Sequence, residues 1–227
     1  VYLFSEGGSY LGLFKVTDEN GLVSFDLPVG GSFKFRADIL GEQVWSGVMT
    51  VSTGGVNPVS VNGEGGLFHV TVENPPGIPI EGINVYLFNQ AGSYLGLNEL
   101  TDAVGGVGFS VPDGTFKVRA DYMRYQFWSD ETLVTEDKSI VLTIPHQQNG
   151  VTVSGVFQGT SEPIVGIQAY LFSSAGSYVG QYQLTDADGK VSFDLPEKAY
   201  KIRADYMGQQ FWSAAFTWQE TTVNVPM

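Results

Sequence analysis

Apolar positions along this chain recur in twos. Val107-Gly108-Phe109-Ser110-Val111 and Val191-Ser192-Phe193-Asp194-Leu195 set apolar residues against small or polar ones, as a half-buried strand does. Phe116, Val118 and Ala120 alternate with Lys117, Arg119 and Asp121. That spacing turns an apolar face inward and a charged row outward. No window holds a helical period between its Gly and Pro breaks. Strands are expected roughly every 8 to 12 residues, the spacing of a β-sandwich.

The pattern is written three times. Phe116 to Ser129, FKVRADYMRYQFWS, returns as YKIRADYMGQQFWS at Tyr200 to Ser213 and as FKFRADILGEQVWS at Phe33 to Ser46. Val1-Tyr2-Leu3-Phe4 matches Val85 to Phe88 and Ala169 to Phe172, an offset of about 84 residues each time. Gly8-Ser9-Tyr10-Leu11-Gly12 recurs at Gly92 to Gly96 and, with Val179 in place of Leu, at Gly176 to Gly180. Thr17-Asp18, Thr101-Asp102 and Thr185-Asp186 each open a turn containing Gly21, Gly105 or Gly189, and Pro28, Pro112 and Pro196 end the next strand. The second and third copies agree at more than half their positions between Val85 and Ser129, which points to recent duplication. Self-similarity at a fixed period defines an array of one module.

A first strand is visible in two copies only, at Phe68 to Glu73 and Val151 to Val156. A last strand is expected at Val59-Ser60-Val61, at Ile140 to Ile144 and at Thr222 to Val225. The modules are expected at 1–64, 65–147 and 148–227, the first without its N-terminal strand. Short linkers fall near Asn62 to Gly66 and His146 to Gly150. Val1 lies inside a strand and is not Met, which reads as a fragment or a processed product.

Composition narrows the class. Hydrophobic residues make up 43% and aromatics 13%, enough for packed cores rather than disorder. The 29 Gly and 10 Pro suit many tight turns. Eleven basic against 24 acidic residues give a net charge of -13, which repels nucleic acid and anionic membranes. Cysteine is absent, so no disulfide frame exists. No apolar run approaches the length of a membrane span.

In order, each copy has an apolar strand, Pro-Ile-x-Gly (Pro79 to Gly82, Pro163 to Gly166), x-Tyr-Leu-Phe, the Thr-Asp turn and a Pro followed by Tyr/Phe-Lys-x-Arg. This order resembles the carboxypeptidase regulatory-like and collagen-adhesin B-type repeats. The resemblance covers nearly the whole chain and rests on turn and core residues. It implies an all-β fold, a tandem array of three Ig-like, transthyretin-type sandwiches. It also implies bacterial extracellular or cell-surface proteins such as stalks and adhesins. Collagen-adhesin domains often carry a Lys isopeptide crosslink on the first strand. The first strands here hold no Lys, so that crosslink is not carried over.

Several residues offer chemistry. The Thr-Asp turns of the first and third copies are faintly calcium-like, but the second reads Thr101-Asp102-Ala103-Val104-Gly105. An Asx turn with Gly at positive φ accounts for all three. Asp38, Asp121 and Asp205 stand two residues after Arg36, Arg119 and Arg203, on one strand face, where an ion pair competes with a receptor motif. Trp45, Trp128 and Trp212, with Tyr10, Tyr94 and Tyr178, are the candidate interaction residues. Core filling, stacking on Arg, glycan stacking and packing against another subunit all remain open for them.

Only His69 and His146 exist, at non-equivalent positions. No repeated nucleophile–His–Asp set and no transition-metal spacing follow. The expected function is structural, without enzymatic activity, cofactor or metal: a segment of a stalk, fibre or filament. Its partners would be neighbours of the same repeat, with strand exchange between subunits as one means of cohesion. An adhesin or carbohydrate-binding array with a glycan or surface ligand is one alternative. Accessory domains of a larger secreted enzyme are another.

Overall fold

The computed structural model describes residues 1–147, 150–156, 159, 160 and 162–226. Gln148 and Asn149 of the expected second linker lie outside the described residues. The described residues form strands and turns, with no helix among them.

In the first repeat, β1 (Tyr2–Ser5), β2 (Tyr10–Phe14), β3 (Ser32–Ile39), β4 (Glu42–Trp45) and β5 (Met49–Thr50) make one antiparallel sheet. Its order is β2-β1-β3-β4, with β5 paired to the start of β3 along the same edge as β4.

The second repeat adds a second sheet. Its strands are β6 (Gly65–Asn74), β7 (Ile78–Pro79), β8 (Asn84–Asn89), β9 (Tyr94–Leu100) and β10 (Gly106–Pro112). They continue with β11 (Gly114–Tyr122), β12 (Tyr125–Trp128), β13 (Thr132–Val134) and β14 (Lys138–Thr143). One sheet runs β10-β6-β14 and the other β12-β11-β8-β9. β14 pairs with β6 in parallel. Between the sheets, alternate residues of β6 (Phe68, Val70, Val72), β8 (Val85, Leu87) and β11 (Phe116, Val118, Ala120) meet in one core. This is an Ig-like sandwich, its core supplied by alternate residues of each strand.

The third repeat repeats the plan with β15 (Val151–Val156), β16 (Gln168–Ser173), β17 (Tyr178–Leu184) and β18 (Lys190–Phe193). It closes with β19 (Ala199–Tyr206), β20 (Gln209–Trp212), β21 (Phe216–Thr217) and β22 (Thr222–Pro226). Its sheets run β18-β15-β22 and β17-β16-β19-β20.

β6 and β15 are therefore the middle strands of the smaller sheets. Residues 22–27 and 58–61 are the first-repeat counterparts of β10 and β14, and neither is a strand. The strand expected at Val59 to Val61 does not form. Both segments would hydrogen-bond to the same middle strand, and a strand without a partner cannot satisfy its backbone groups in a ladder.

The Thr-Asp turns are Asx turns. Asp102 Oδ1 accepts the N–H groups of Val104 (2.9 Å) and Gly106 (2.7 Å), and Asp18 and Asp186 do the same in their copies. In the complete sandwiches the preceding Thr is also fixed. The Thr101 hydroxyl donates to the Ile80 carbonyl (2.7 Å) and accepts from Ile83 N–H (3.1 Å). Thr185 bonds Ile164 and Ile167 in the same way. Thr17 is exposed, because the first repeat has no Pro-Ile loop to receive it.

The linkers are tied to the repeat that follows. Asp113 N–H donates to the Glu64 carbonyl (2.7 Å). Gln147 N–H reaches the Leu195 carbonyl and Glu197 N–H the Pro145 carbonyl, both at 2.9 Å.

Candidate interaction surface

The Arg-Ala-Asp strand is central in each larger sheet. Register sets Arg119 of β11 directly opposite Tyr86 of β8 on one side and Trp128 of β12 on the other. Period-two alternation puts Phe88 on the same outer face as Tyr86. The Arg119 guanidinium carbon lies 4.6 Å from the Tyr86 ring centre, 5.3 Å from Phe88 and 5.8 Å from Trp128. The first repeat shows Arg36 at 4.7, 5.4 and 5.8 Å from Tyr2, Phe4 and Trp45. The third shows Arg203 at 4.7, 5.2 and 5.9 Å from Tyr170, Phe172 and Trp212.

Each guanidinium is also paired with its Asp. Arg119 Nη2 donates to Asp121 Oδ2 at 3.0 Å, and Nε stands 2.8 Å from Oδ1 as an ion-pair contact outside hydrogen-bond geometry. Arg36–Asp38 and Arg203–Asp205 match it. The ion pair with its one hydrogen bond helps to keep the guanidinium over the rings.

Each Trp packs on the outer-face Phe, with ring centres 4.6 Å (Phe4–Trp45), 4.7 Å (Phe88–Trp128) and 4.8 Å (Phe172–Trp212) apart. Trp45 and Trp128 are each 43% exposed and Trp212 39%. They lie outside the sandwich core and pack at a steep tilt against the Phe rings, so they are not free. Tyr10, Tyr94 and Tyr178 join the same cluster through the same Phe, at 5.4, 5.5 and 5.5 Å, and are likewise exposed. Six sequence-singled residues thus fall into three copies of one aromatic row around one Arg.

A second surface was not singled out in the sequence. The two-residue turn between β11 and β12 enters the third repeat. Met123 is buried in that repeat's core cluster. The Tyr125 hydroxyl donates to the Ala199 carbonyl and accepts Ser174 N–H (3.1 Å), and its ring meets Tyr200 edge-on at 5.5 Å. Arg124 Nε donates to the Tyr178 carbonyl at 3.2 Å. Lys198 Nζ sits 4.8 Å from the Phe127 ring centre. Burial pushes the Tyr200 phenol far above its ordinary value, helped by Tyr125 and Tyr122. Burial also raises Tyr122, and Asp194 adds to it. The readable signal was an apolar Met at a turn position that normally takes Asn or Gly.

Among the described residues, no group of three His, Cys, Asp or Glu gathers where a metal could sit. Fold and surface define a class: Ig-like sandwiches in tandem, each with an Arg-centred aromatic row. The chain is similar to three solved bacterial structures. The minor pilin GBS52 of Streptococcus agalactiae is 17% identical over 71% of this chain and 94% of that one, with a TM-score of 0.41. The shaft pilin spaA of Lactobacillus rhamnosus GG is 10% identical over 71% and 97%, with a TM-score of 0.34. A single B repeat unit of the collagen-binding surface protein of Staphylococcus aureus is 12% identical over 73% and 97%, with a TM-score of 0.26. No protein-family model and no curated protein sequence matches this chain.

Proposed function

We propose that the chain is a structural segment of an extracellular or cell-surface repeat protein, a stalk, fibre or filament built from stiff sandwiches. The division into repeats at 1–64, 65–147 and 148–227 belongs to this reading. One observation carries it: the β11–β12 turn is sunk in the next repeat, with Met123 buried and Tyr125 bridging two of that repeat's backbone groups. Independent beads on a tether have no use for such a joint. In this reading the partners are neighbours of the same repeat, and the protein has no catalytic role.

Strand exchange between subunits belongs to the same proposal. Segments 23–27 and 58–61 lie in no strand and, apart from the Ser24 carbonyl held by Lys15, offer their backbone to an incoming strand with the β6 pattern. Trp45, Trp128, Trp212, Tyr10, Tyr94 and Tyr178 serve as lateral contact points. Small-angle scattering and electron micrographs of the native material test the reading. Stiff rods or filaments support it, and a flexible string of separate domains overturns it. Glycan binding that disappears in Trp128→Ala would put the adhesin reading in its place.

A further inference from the structure

The outer face of each larger sheet carries a second cation. Lys34, Lys117 and Lys201 stand two residues before the paired arginines, on the same strand face. Register sets Lys117 opposite Phe88 and Lys201 opposite Phe172, the rings on which Trp128 and Trp212 pack. The two complete repeats then differ. Lys117 Nζ lies 3.9 Å from Glu131 Oε1 and 5.8 Å from the Trp128 ring centre. Gln90 Nε2 donates to Glu131 Oε2 at 3.4 Å. A Cβ on Gly92 would stand 3.8 Å from Lys117 Nζ. The second repeat therefore closes this place with a carboxylate of its own.

In the third repeat Ala215 and Ser174 stand at the positions of Glu131 and Gln90. Both are too short to reach across. An open cleft of about 380 Å³ is left, lined by Gly176, Lys201, Trp212 and Ser213. Arg203 is already paired with Asp205. The Ser213 hydroxyl is taken up by Ile202 N–H and the Ala214 carbonyl. Half-buried Lys201 makes no ion pair among the described residues. Its ammonium and the Trp212 indole, 39% exposed, are the groups left for a ligand. The first repeat has Glu6 at the Gln90 position, which opposes an anion there.

We propose that the Lys201–Trp212 cleft binds a sugar acid of the hexuronate class. Its carboxylate sits on Lys201 Nζ, where the second repeat places Glu131, and the C–H face of its ring covers the indole. The carboxylate forms a charge-assisted hydrogen bond. The ring removes apolar indole surface from water, which a small acid alone would leave wet. A net charge of -13 keeps anions away from the chain in general, so binding is confined to this cation. The inference goes beyond the stalk reading and does not rest on it.

NMR titration of the isotope-labelled full chain with glucuronate, glucose and acetate tests the site. Glucuronate should shift the Trp212 indole N–H and the Lys201 side chain saturably. Glucose and acetate each offer half of the ligand and should bind roughly tenfold more weakly or worse. Lys201→Gln keeps the stem without the charge and should bring glucuronate down to the level of glucose. Ala215→Glu installs the second repeat's carboxylate and should silence the Trp212 response, with amide shifts elsewhere unchanged. Glu131→Ala should give Trp128 a glucuronate response that it lacks in the wild type. Acetate or glucose binding as tightly as glucuronate would overturn the proposal. So would Lys201→Gln or Ala215→Glu chains that bind as the wild type does, a Trp128 that stays silent in Glu131→Ala, or no saturable shift at all.

Discussion

The guanidinium carbon of Arg119 lies 4.6 Å from the centre of the Tyr86 ring, directly across from it on the neighbouring strand. A cation over a ring contributes about 0.5–1 kcal/mol at such a site, and the Asp121 ion pair adds at most a similar amount. Arg119→Ala should therefore destabilise the second repeat by roughly 1–2 kcal/mol. Lys has no planar guanidinium to lay over the three rings, so Arg119→Lys should recover less than half the loss. Urea denaturation followed by Trp128 fluorescence measures both.

Gly105 and Gly21 hold the same turn position and the same φ, 74°. A Cβ on Gly105 would stand 2.4 Å from the Val72 carbonyl oxygen of β6, whereas nothing lies within 4 Å at Gly21. Gly21→Ala should cost only the positive-φ penalty, about 1 kcal/mol. Gly105→Ala adds a backbone collision and should cost roughly 2–3 kcal/mol. Equal costs in thermal melts would mean that the first repeat has a middle strand after all.

Tyr125→Phe removes a hydroxyl that serves two backbone groups of the third repeat. Those two groups keep their bond to each other at 3.0 Å, so only the net worth of the hydroxyl's hydrogen bonds is lost, and the joint should weaken by about 0.5–1.5 kcal/mol. Hydrogen exchange should then quicken at Ser174 and around Ala199, while the β6 core stays protected.

Alkali should open the third repeat first. Tyr200 and Tyr122 have phenol pKa values raised by burial above the ordinary 10.0. Above that pH the unfolded chain loses protons that the folded chain keeps. Stability is fully present below pH about 10 and falls as pH rises toward the folded values, by up to about 1.4 kcal/mol per unit for each group. Circular dichroism from pH 9 to 12 should show the loss, and Tyr122→Phe should reduce it.

A synthetic peptide of residues 65–74 offers the first repeat the strand that β6 supplies to the second. Binding with a gain in strand signal at residues 22–27, abolished by Val70→Asp, is the expected outcome in isotope-edited NMR. No binding would remove strand exchange from the proposal.

Much of the fold was legible in residue order. Alternation at Phe116, Val118 and Ala120 set which side of β11 faces the core, since a strand has only two faces. The Thr-Asp-x-x-Gly run specified its Asx turn through contacts within five residues. Threefold repetition made each copy a check on the others. Residues far apart in sequence are where tertiary structure decided. Trp128 could have pointed either way until register placed it opposite Arg119 and against Phe88. Val59 to Val61 has strand-forming residues yet forms no strand, because pairing depends on a partner and not on propensity. Met123 and Met207 stand in the same local sequence, Ala-Asp-Tyr-Met. One is buried and the other bare, and only the presence of a packed neighbour separates them.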